Sequence, residues 1–126
     1  MSDGKSLSIS DMQKEAYETS ASKGWHDDVD EPVKYGLPAR LALIHSEVSE
    51  ALEDFRDGRP PAEVFYLPPK KEGDAQKPCG IPIELADVVI RIGDFCGKYG
   101  IDLEEAIKIK LKYNLTRPPK HGGKVV

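Results

Sequence analysis

The sequence predicts an all-α fold, a bundle of four to five helices formed by a single domain that spans residues 1–126. Apolar residues recur at spacings of three and four in most segments, which is the period of a helix that packs on one face. Signals for β-strands are few, and the length suits one compact domain. A core of this size is adequate but small, so we expect the chain to assemble with further copies of itself.

The first helix is predicted over about residues 9–23. Ser8 or Ser10 suits the N-cap position, and Gly24 is suited to end the helix because glycine readily leaves the helical conformation. The polar segment "HDDVDEPVKYGLP" follows and contains two prolines. We therefore expect a non-helical connection between the first and second helices.

The second helix is predicted over about residues 38–57. Pro38 suits the first turn, where its missing N–H is not needed, and Gly58 follows the last residue. Five apolar residues recur along it at spacings of three and four, and this stripe predicts the face that packs in the core. They are Leu41, Ile44, Val48, Ala51 and Phe55.

A proline-rich loop is predicted at about residues 59–80. Residues 59–82 hold six of the ten prolines, a density that no continuous helix tolerates. The segment "AEVFYL" within this loop is compatible with a short extended piece. A loop of this length inside a compact domain is often functional or mobile.

Two further helices complete the prediction, the third over about residues 82–98 and the fourth from Asp102 to about residue 115. Asp102 suits the N-cap of the fourth helix, with Glu105 three residues later as its capping-box partner. A pair of prolines stops this helix. Cys96 lies in the apolar run of the third helix and is predicted to be a small core residue.

The composition argues against two classes of function. The chain carries 18 basic and 22 acidic residues, a net charge of −4, and lacks the basic excess expected of a protein that binds nucleic acid polymers. No segment approaches the length of a membrane span, and the N-terminal segment lacks the apolar core of a signal peptide. We therefore expect a cytoplasmic protein whose partners include neither a membrane nor a nucleic acid polymer.

Two predicted helices each carry two carboxylates three residues apart. The second helix carries Glu47 and Glu50, and the third carries Glu84 and Asp87. This spacing places both members of a pair on one side of their helix. If the helices pack antiparallel, the four carboxylates meet, and their mutual repulsion favours a bound cation. Mg²⁺ is the natural candidate because it prefers oxygen ligands and keeps waters that a phosphate displaces, and Mn²⁺ has similar preferences.

The alternative is that these acidic residues form a solvated face, which is the usual arrangement at helical spacing. The third helix argues against it, because apolar residues cover most of the rest of its circumference. A helix of that kind is mostly buried, and its acidic stripe then lines a cleft. The apolar residues are Ile83, Leu85, Ala86, Val88, Val89, Ile90 and Ile92.

The fourth helix and the end of the first carry candidates for contacts with a phosphate and with a base. Lys110, Asn114 and Arg117 lie four and three residues apart and share one face. Lysine and arginine bind phosphate oxygens, although cations at a helix C-terminus are also favourable without a ligand. Trp25, the only tryptophan, either fills the core or offers a flat surface on which a base stacks.

The order of these motifs resembles the MazG-like nucleotide pyrophosphohydrolases of the all-α NTP pyrophosphatase superfamily. The motifs are ExxE at Glu47–Glu50, ExxD at Glu84–Asp87 and KxxxNxxR at Lys110–Arg117. The likeness covers most of the chain from about residue 37 onward. One position departs from the family, because many members place another acid directly before the first motif, where this chain has Ser46.

The resemblance implies an activity, the hydrolysis of a nucleoside triphosphate to the monophosphate and pyrophosphate. It implies that the four paired carboxylates hold Mg²⁺ and that Glu47 or Glu50 orients or deprotonates the attacking water. Lys110, Asn114 and Arg117 would then bind the phosphate tail. Trp25 is the candidate for contact with the base. The family also implies a homodimer or homotetramer with sites near the subunit interface.

Two alternatives remain at this stage. Dimeric dUTPases and phosphoribosyl-ATP pyrophosphatases share the acidic helices, although the short chain and the "HGGK" tail favour the MazG-like interpretation. A non-catalytic helical dimerisation module that keeps the acidic face for solubility is the second alternative. The base, the sugar and the number of metal ions are not predicted.

Overall fold

The computed structural model of the chain describes residues 6–27 and 32–119. The "HGGK" segment, residues 121–124, lies outside the described residues. The chain is predominantly helical, as predicted, and adds a small two-stranded sheet. The elements in order are α1 (Ile9–Ser22), α2 (Val33–Arg56), β1 (Phe65–Leu67), β2 (Lys77–Cys79), α3 (Ile81–Lys98) and α4 (Leu103–Asn114).

Side-chain caps begin two of the helices where the sequence predicts them. The backbone N–H of Asp11 donates to Ser8 Oγ at 3.0 Å, and that of Glu105 donates to Asp102 Oδ1 at 3.0 Å. Both bonds satisfy N–H groups that have no partner within their helix. The predicted N-caps Ser8 and Asp102 are therefore confirmed.

The prediction that the second helix begins at Pro38 is wrong, because α2 begins at Val33. Pro32 is its N-cap residue, and the Pro32 carbonyl accepts from the N–H groups of Tyr35 and Gly36 at 3.0 and 3.1 Å. Pro38 lies inside the helix, where its missing N–H costs one backbone bond. The turn that follows Pro32 is held by its own backbone hydrogen bonds, so the helix starts before Pro38.

The proline-rich loop contains a hairpin that the sequence did not predict. β1 and β2 pair antiparallel, with Phe65 opposite Cys79 and Tyr66 opposite Pro78. A proline is tolerated here because a sheet of two strands has only edge strands. Gly80 follows at φ +118° and caps α3, and a Cβ at Gly80 would collide with the Glu63 backbone. The hairpin therefore leads directly into the first turn of α3.

The contact between α1 and α3 is close because α3 presents two glycines to α1. A Cβ on Gly93 would lie 2.6 Å from Met12 Sδ, and one on Gly97 would lie 2.5 Å from Tyr17 Cβ. The two helices therefore run in the same direction, with the beginning of α1 opposite the middle of α3. Cys96, which lies between these two glycines in α3, is buried, and this confirms it as a core residue.

The prediction that the third helix is mostly buried is wrong for the single chain. α3 packs against α1 and α2, yet Leu85, Val89 and Ile90 are each about half exposed. The physical reason is the register of α1, which begins opposite the middle of α3 and leaves the first half uncovered on that side. The first half of α3 thus presents an apolar surface beside its carboxylates.

Contacts with Gln13 fix the start of α4 on α1, and no helix of the described residues is suited to cross a membrane. α4 docks on α1, where Gln13 Nε2 donates to the Ile101 carbonyl at 2.7 Å and Gln13 Oε1 accepts from the Leu103 N–H at 3.3 Å. Within residues 6–27 and 32–119, no helix combines the length and the hydrophobicity that a bilayer-spanning segment needs.

Candidate metal centre

The carboxylates of α2 and α3 meet because the two helices run in opposite directions. Arg91, in the second half of α3, donates from Nε to Glu47 Oε1 at 2.9 Å, and Glu47 is the first acidic residue of α2. Asp54 lies about two turns further along α2, and its charge acts on Glu84 near the start of α3. The earlier residue of α2 thus lies beside the later residue of α3, and the later one beside the earlier one, so the two helices are antiparallel. This is the arrangement in which the acidic pairs of the two helices can meet.

Three of the four predicted carboxylates form a close group. Glu47, Glu84 and Asp87 each offer an oxygen, and these atoms lie within 4.8 Å of one another. Ligand oxygens on opposite sides of one Mg²⁺ lie about 4.2 Å apart, so small side-chain rotations bring all three onto a single ion. The donor set, carboxylate oxygens only, is the one that hard divalent cations prefer. The residues therefore fit Mg²⁺ or Mn²⁺.

Glu50 lies at the edge of this group and is exposed. It is one turn beyond Glu47 on α2, and its charge acts on Glu84 less than that of Glu47 or Asp87. Glu50 is therefore near the three close carboxylates without belonging to them.

The electrostatics of the group are concentrated on Glu84. The pKa of the Glu84 carboxyl is raised above its ordinary value, first because the group is partly buried and then because other carboxylates surround it. The neighbours that raise it are, in decreasing order, Asp54, Asp87, Glu47 and Glu50. A bound divalent cation would offset the repulsion among these carboxylates.

Sequence reasoning missed Asp54 as a member of the site. Its Oδ2 is buried and has no hydrogen-bond partner within the described residues, and its charge is the strongest of the four that act on Glu84. The signal was present, because Asp54 lies seven residues after Glu47 and four after Glu50, on the same helical face.

Sequence reasoning also did not assign Arg91 to the site. Its guanidinium pairs with Glu47, whose side chain is 16 % exposed, and Arg91 also lines two cavities. Arg91 lies one turn beyond Asp87, so the acidic stripe of α3 continues into a basic group. A cation that binds Glu47 has to compete with this ion pair.

Lys110 and Asn114 of α4, and Arg117 three residues beyond its end, do not meet the carboxylates within the chain. Lys110, Asn114 and Arg117 are exposed, and α4 packs mainly against α1 rather than against α2 and α3. The Lys110 ammonium lies 5.0 Å from the centre of the Tyr113 ring. Any contact of these residues with a ligand held at the carboxylates therefore requires a second chain or a movement of α4.

Trp25 does not fill the core, since it is 67 % exposed. It lines two cavities of about 460 and 370 Å³, both of which also contain Arg91 and Asp94. The larger cavity extends to Asp87 of the close carboxylate group. Of the two roles that the sequence left open, the exposed flat surface is the one that the structure provides.

Comparisons of the chain with protein-family models, with curated proteins and with solved structures found no match.

Proposed function

We propose that the protein is a Mg²⁺-dependent nucleoside triphosphate pyrophosphohydrolase, which converts a ribo- or deoxyribonucleoside triphosphate and water to the monophosphate and pyrophosphate. The observation that carries the proposal is the meeting of Glu47, Glu84 and Asp87 between two antiparallel helices. Three carboxylates at this separation repel one another and favour a divalent cation. The MazG-like order of the three motifs is the second support, and clearing unwanted nucleotides is the role that it suggests.

In this proposal Glu47, Glu84 and Asp87 hold Mg²⁺, with Glu50 beside them. The ion, when bound, offsets the negative charge of the phosphate oxygens as the bond breaks. The general base is Glu47 or Glu50. Glu50 is favoured, because Glu47 is held by Arg91 at 2.9 Å and a carboxylate shared between two cations is a weak base.

The rest of the substrate is assigned to α4 and to the end of α1. Lys110, Asn114 and Arg117 bind the phosphate tail, and Trp25 stacks on the base. The large exposure of Trp25 and its position in the cavity that reaches Asp87 support the second assignment. All three α4 residues are exposed, which leaves them available to a ligand.

We also propose that the active form is a homodimer or homotetramer in which α4 of one copy reaches the carboxylates of another. Apolar residues are exposed both on α4 and on the first half of α3, and burial of such surface drives association. Within one chain, α4 packs mainly against α1 and leaves the phosphate-binding residues remote from the carboxylates. The exposed residues are Leu85, Val89, Ile109, Leu111 and Leu115.

The test is incubation of the protein with a panel of nucleotides and Mg²⁺, with products identified by phosphorus NMR. Monophosphate plus pyrophosphate is the expected result. Turnover of dUTP alone, or of phosphoribosyl-ATP alone, would instead favour the two related enzymes. No turnover of any nucleotide, together with no rise in melting temperature on addition of Mg²⁺ or Mn²⁺, would favour the non-catalytic dimerisation module.

Two variants sharpen this test. Glu50→Gln should abolish turnover and leave the helical circular dichroism unchanged, because it removes a proton acceptor and keeps the shape of the side chain. The matched control is Glu72→Gln, the same change at an exposed position of the loop between β1 and β2, which should be fully active. Retained activity in Glu50→Gln removes Glu50 from the site.

A complementation experiment tests the shared site. Glu47→Gln and Arg117→Ala proteins are each expected to be weakly active or inactive. Mixing them should restore activity if the carboxylates of one chain work with the α4 of another, because some mixed sites then contain both native halves. A mixture that exchanges subunits and stays as inactive as its components would contradict the shared site, without affecting the assignment of the reaction.

A further inference from the structure

The cavities beside the carboxylates contain an acceptor group that the proposed reaction does not use. Asp94 lines both of them, together with Trp25 and Arg91. Asp94 lies seven residues beyond Asp87 on α3, which is about 10 Å along the helix axis. A nucleotide whose phosphates lie at Asp87 therefore extends toward Asp94 and the indole of Trp25.

Asp94 is held at one carboxylate oxygen by His26, which itself lines the smaller cavity, while Ser20 behind that contact lines the larger one. His26 Nε2 lies 2.6 Å from Asp94 Oδ1, and Ser20 Oγ lies 3.1 Å from the same nitrogen. The His26 ring stacks on Tyr17 with 5.1 Å between ring centres, and its side chain is only 9 % exposed. The Asp94 side chain keeps 23 % of its surface accessible. A carboxylate that is held at Oδ1 by a mostly buried ring and keeps part of its surface accessible can act as a positioned hydrogen-bond acceptor.

The His26 ring makes its contacts with Ser20 and Asp94 through one of its two nitrogens. Nδ1 is buried without a hydrogen-bond partner among the described residues, so both contacts of the ring use Nε2. With its proton on Nε2, His26 donates to Asp94, and the ionised Asp94 carboxylate is an acceptor toward the cavity. Arg91 and the indole N–H of Trp25 are donors that line both cavities, and Arg91 Nε is engaged by Glu47 at 2.9 Å.

We infer that Asp94, positioned by His26, selects nucleotides whose base carries an exocyclic amino group on its hydrogen-bonding edge. This inference rests on the proposed function in that it takes the ligand to be a nucleotide stacked on Trp25. Carboxylates accept from the amino group of cytosine, and the amino group of adenine offers the same donor. Uracil and hypoxanthine place a carbonyl oxygen at the equivalent position, which repels a carboxylate that faces it, and their ring N–H lies at the neighbouring position of the base edge.

Trp25 provides the assay, because it is the only tryptophan in the chain and lines the cavities concerned. The nucleoside monophosphates are titrated into the wild-type protein in two matched pairs, CMP with UMP and AMP with IMP. The tryptophan fluorescence reports binding. CMP and AMP should bind about tenfold or more tightly than UMP and IMP, the usual effect of one hydrogen bond to a charged group. Equal affinities within a pair, a preference for the carbonyl-bearing base, or no response to any of the four overturns the inference.

A variant separates recognition from mere support of the fold. Asp94→Asn keeps the shape of the side chain but adds an amide donor that can face a carbonyl oxygen. The ratio of CMP to UMP affinity should fall to about twofold or less, whereas a purely structural role would weaken both nucleotides alike and keep the ratio. Asp74→Asn, the same change in the exposed loop, is the control and should keep the wild-type ratio. If Asp94→Asn does not fold, the wild-type pairs alone decide.

The outcomes distinguish this inference from the proposed reaction. Discrimination within both pairs, without turnover of any triphosphate, would support the base selection and contradict the hydrolase. Turnover of CTP and UTP with equal kcat/KM, and equal affinities of CMP and UMP, would support the hydrolase and contradict the role of Asp94.

Discussion

Replacement of Glu84 by glutamine should stabilise the protein when no metal is present. The oxygens of Glu47, Glu84 and Asp87 lie within 4.8 Å of one another, and at that distance two unit charges repel by about 0.9 kcal/mol in a water-like dielectric. Glu84→Gln removes these two repulsions and those with Asp54 and Glu50, while the desolvation of Glu84 is also relieved and the Arg91 ion pair already offsets part of the repulsion with Glu47. The free energy of unfolding should therefore rise by about 1 kcal/mol, or about 4 °C in melting temperature.

Metal should reverse the order of the two proteins. A site that holds Mg²⁺ at a hundred times its dissociation constant stabilises the folded state by about 2.7 kcal/mol. The wild-type protein keeps all three close carboxylates and gains this increment, whereas Glu84→Gln has lost one and gains much less. The variant is thus the more stable protein in EDTA and the less stable one in saturating Mg²⁺ or Mn²⁺.

The assay is urea unfolding followed by circular dichroism, in EDTA and in Mg²⁺, at low and at high salt. Glu72→Gln is the control, since it removes one exposed carboxylate. It should change the free energy of unfolding by no more than about 0.5 kcal/mol in either EDTA or Mg²⁺. High salt should shrink the difference in EDTA, because screening weakens repulsion between partly exposed charges. A variant that is less stable than the wild type in EDTA, or a wild type that does not respond to metal, would refute the reasoning.

Three further predictions follow from contacts in the structure. Arg91→Ala should tighten Mn²⁺ binding by about tenfold in calorimetric titration, because the ion no longer displaces a guanidinium from Glu47; weaker binding would show that the pair supports the site instead. Gly97→Ala should lower the free energy of unfolding by about 1–3 kcal/mol in urea, because its Cβ would meet Tyr17 Cβ at 2.5 Å; an unchanged value would mean that α1 shifts freely. Because folding raises the pKa of Glu84, the folded state binds more protons than the unfolded one, so the stability of the metal-free protein should fall as pH rises from the ordinary value of 4.5 through the raised pKa; a Glu84→Gln protein with the same slope would contradict this cause.

The features that the sequence predicted correctly are local ones. Ser8 and Asp102 cap their helices through bonds to the residue three positions on, so a short stretch of sequence contains the whole interaction. The placement of Glu84 and Asp87 on one side of α3 is equally local, since it follows from the helical period. The exception is the start of α2, where Pro38 was a local signal that the backbone bonds of Pro32 override.

The features that could not be predicted from the sequence depend on residues far apart in the chain. The sequence allowed a short extended piece in "AEVFYL", which contains β1, but the pairing of Phe65 with Cys79 joins it to a segment 14 residues away in the chain. The ion pair of Arg91 with Glu47 joins residues 44 positions apart. Asp54 shares its helical face with Glu47, but its burial near Glu84 depends on how α2 lies against α3. Helical periodicity fixes which residues share a face and cannot fix which part of that face a neighbour covers.

The half-exposed surface of α3 connects the proposed assembly with the proposed metal site. Ile90 is about half exposed, lies three residues after Asp87 and so on the same side of α3, and lines the same cavity, so a second copy that covers Ile90 also removes water from the edge of the carboxylates. Loss of water strengthens the repulsion among these charges and equally their attraction for a cation. Assembly without metal is therefore opposed by the carboxylates, and assembly with metal is not. By linkage, an ion that binds the assembled form more tightly must also favour assembly by the same factor, so metal affinity and subunit association form a single equilibrium in this protein if both proposals hold.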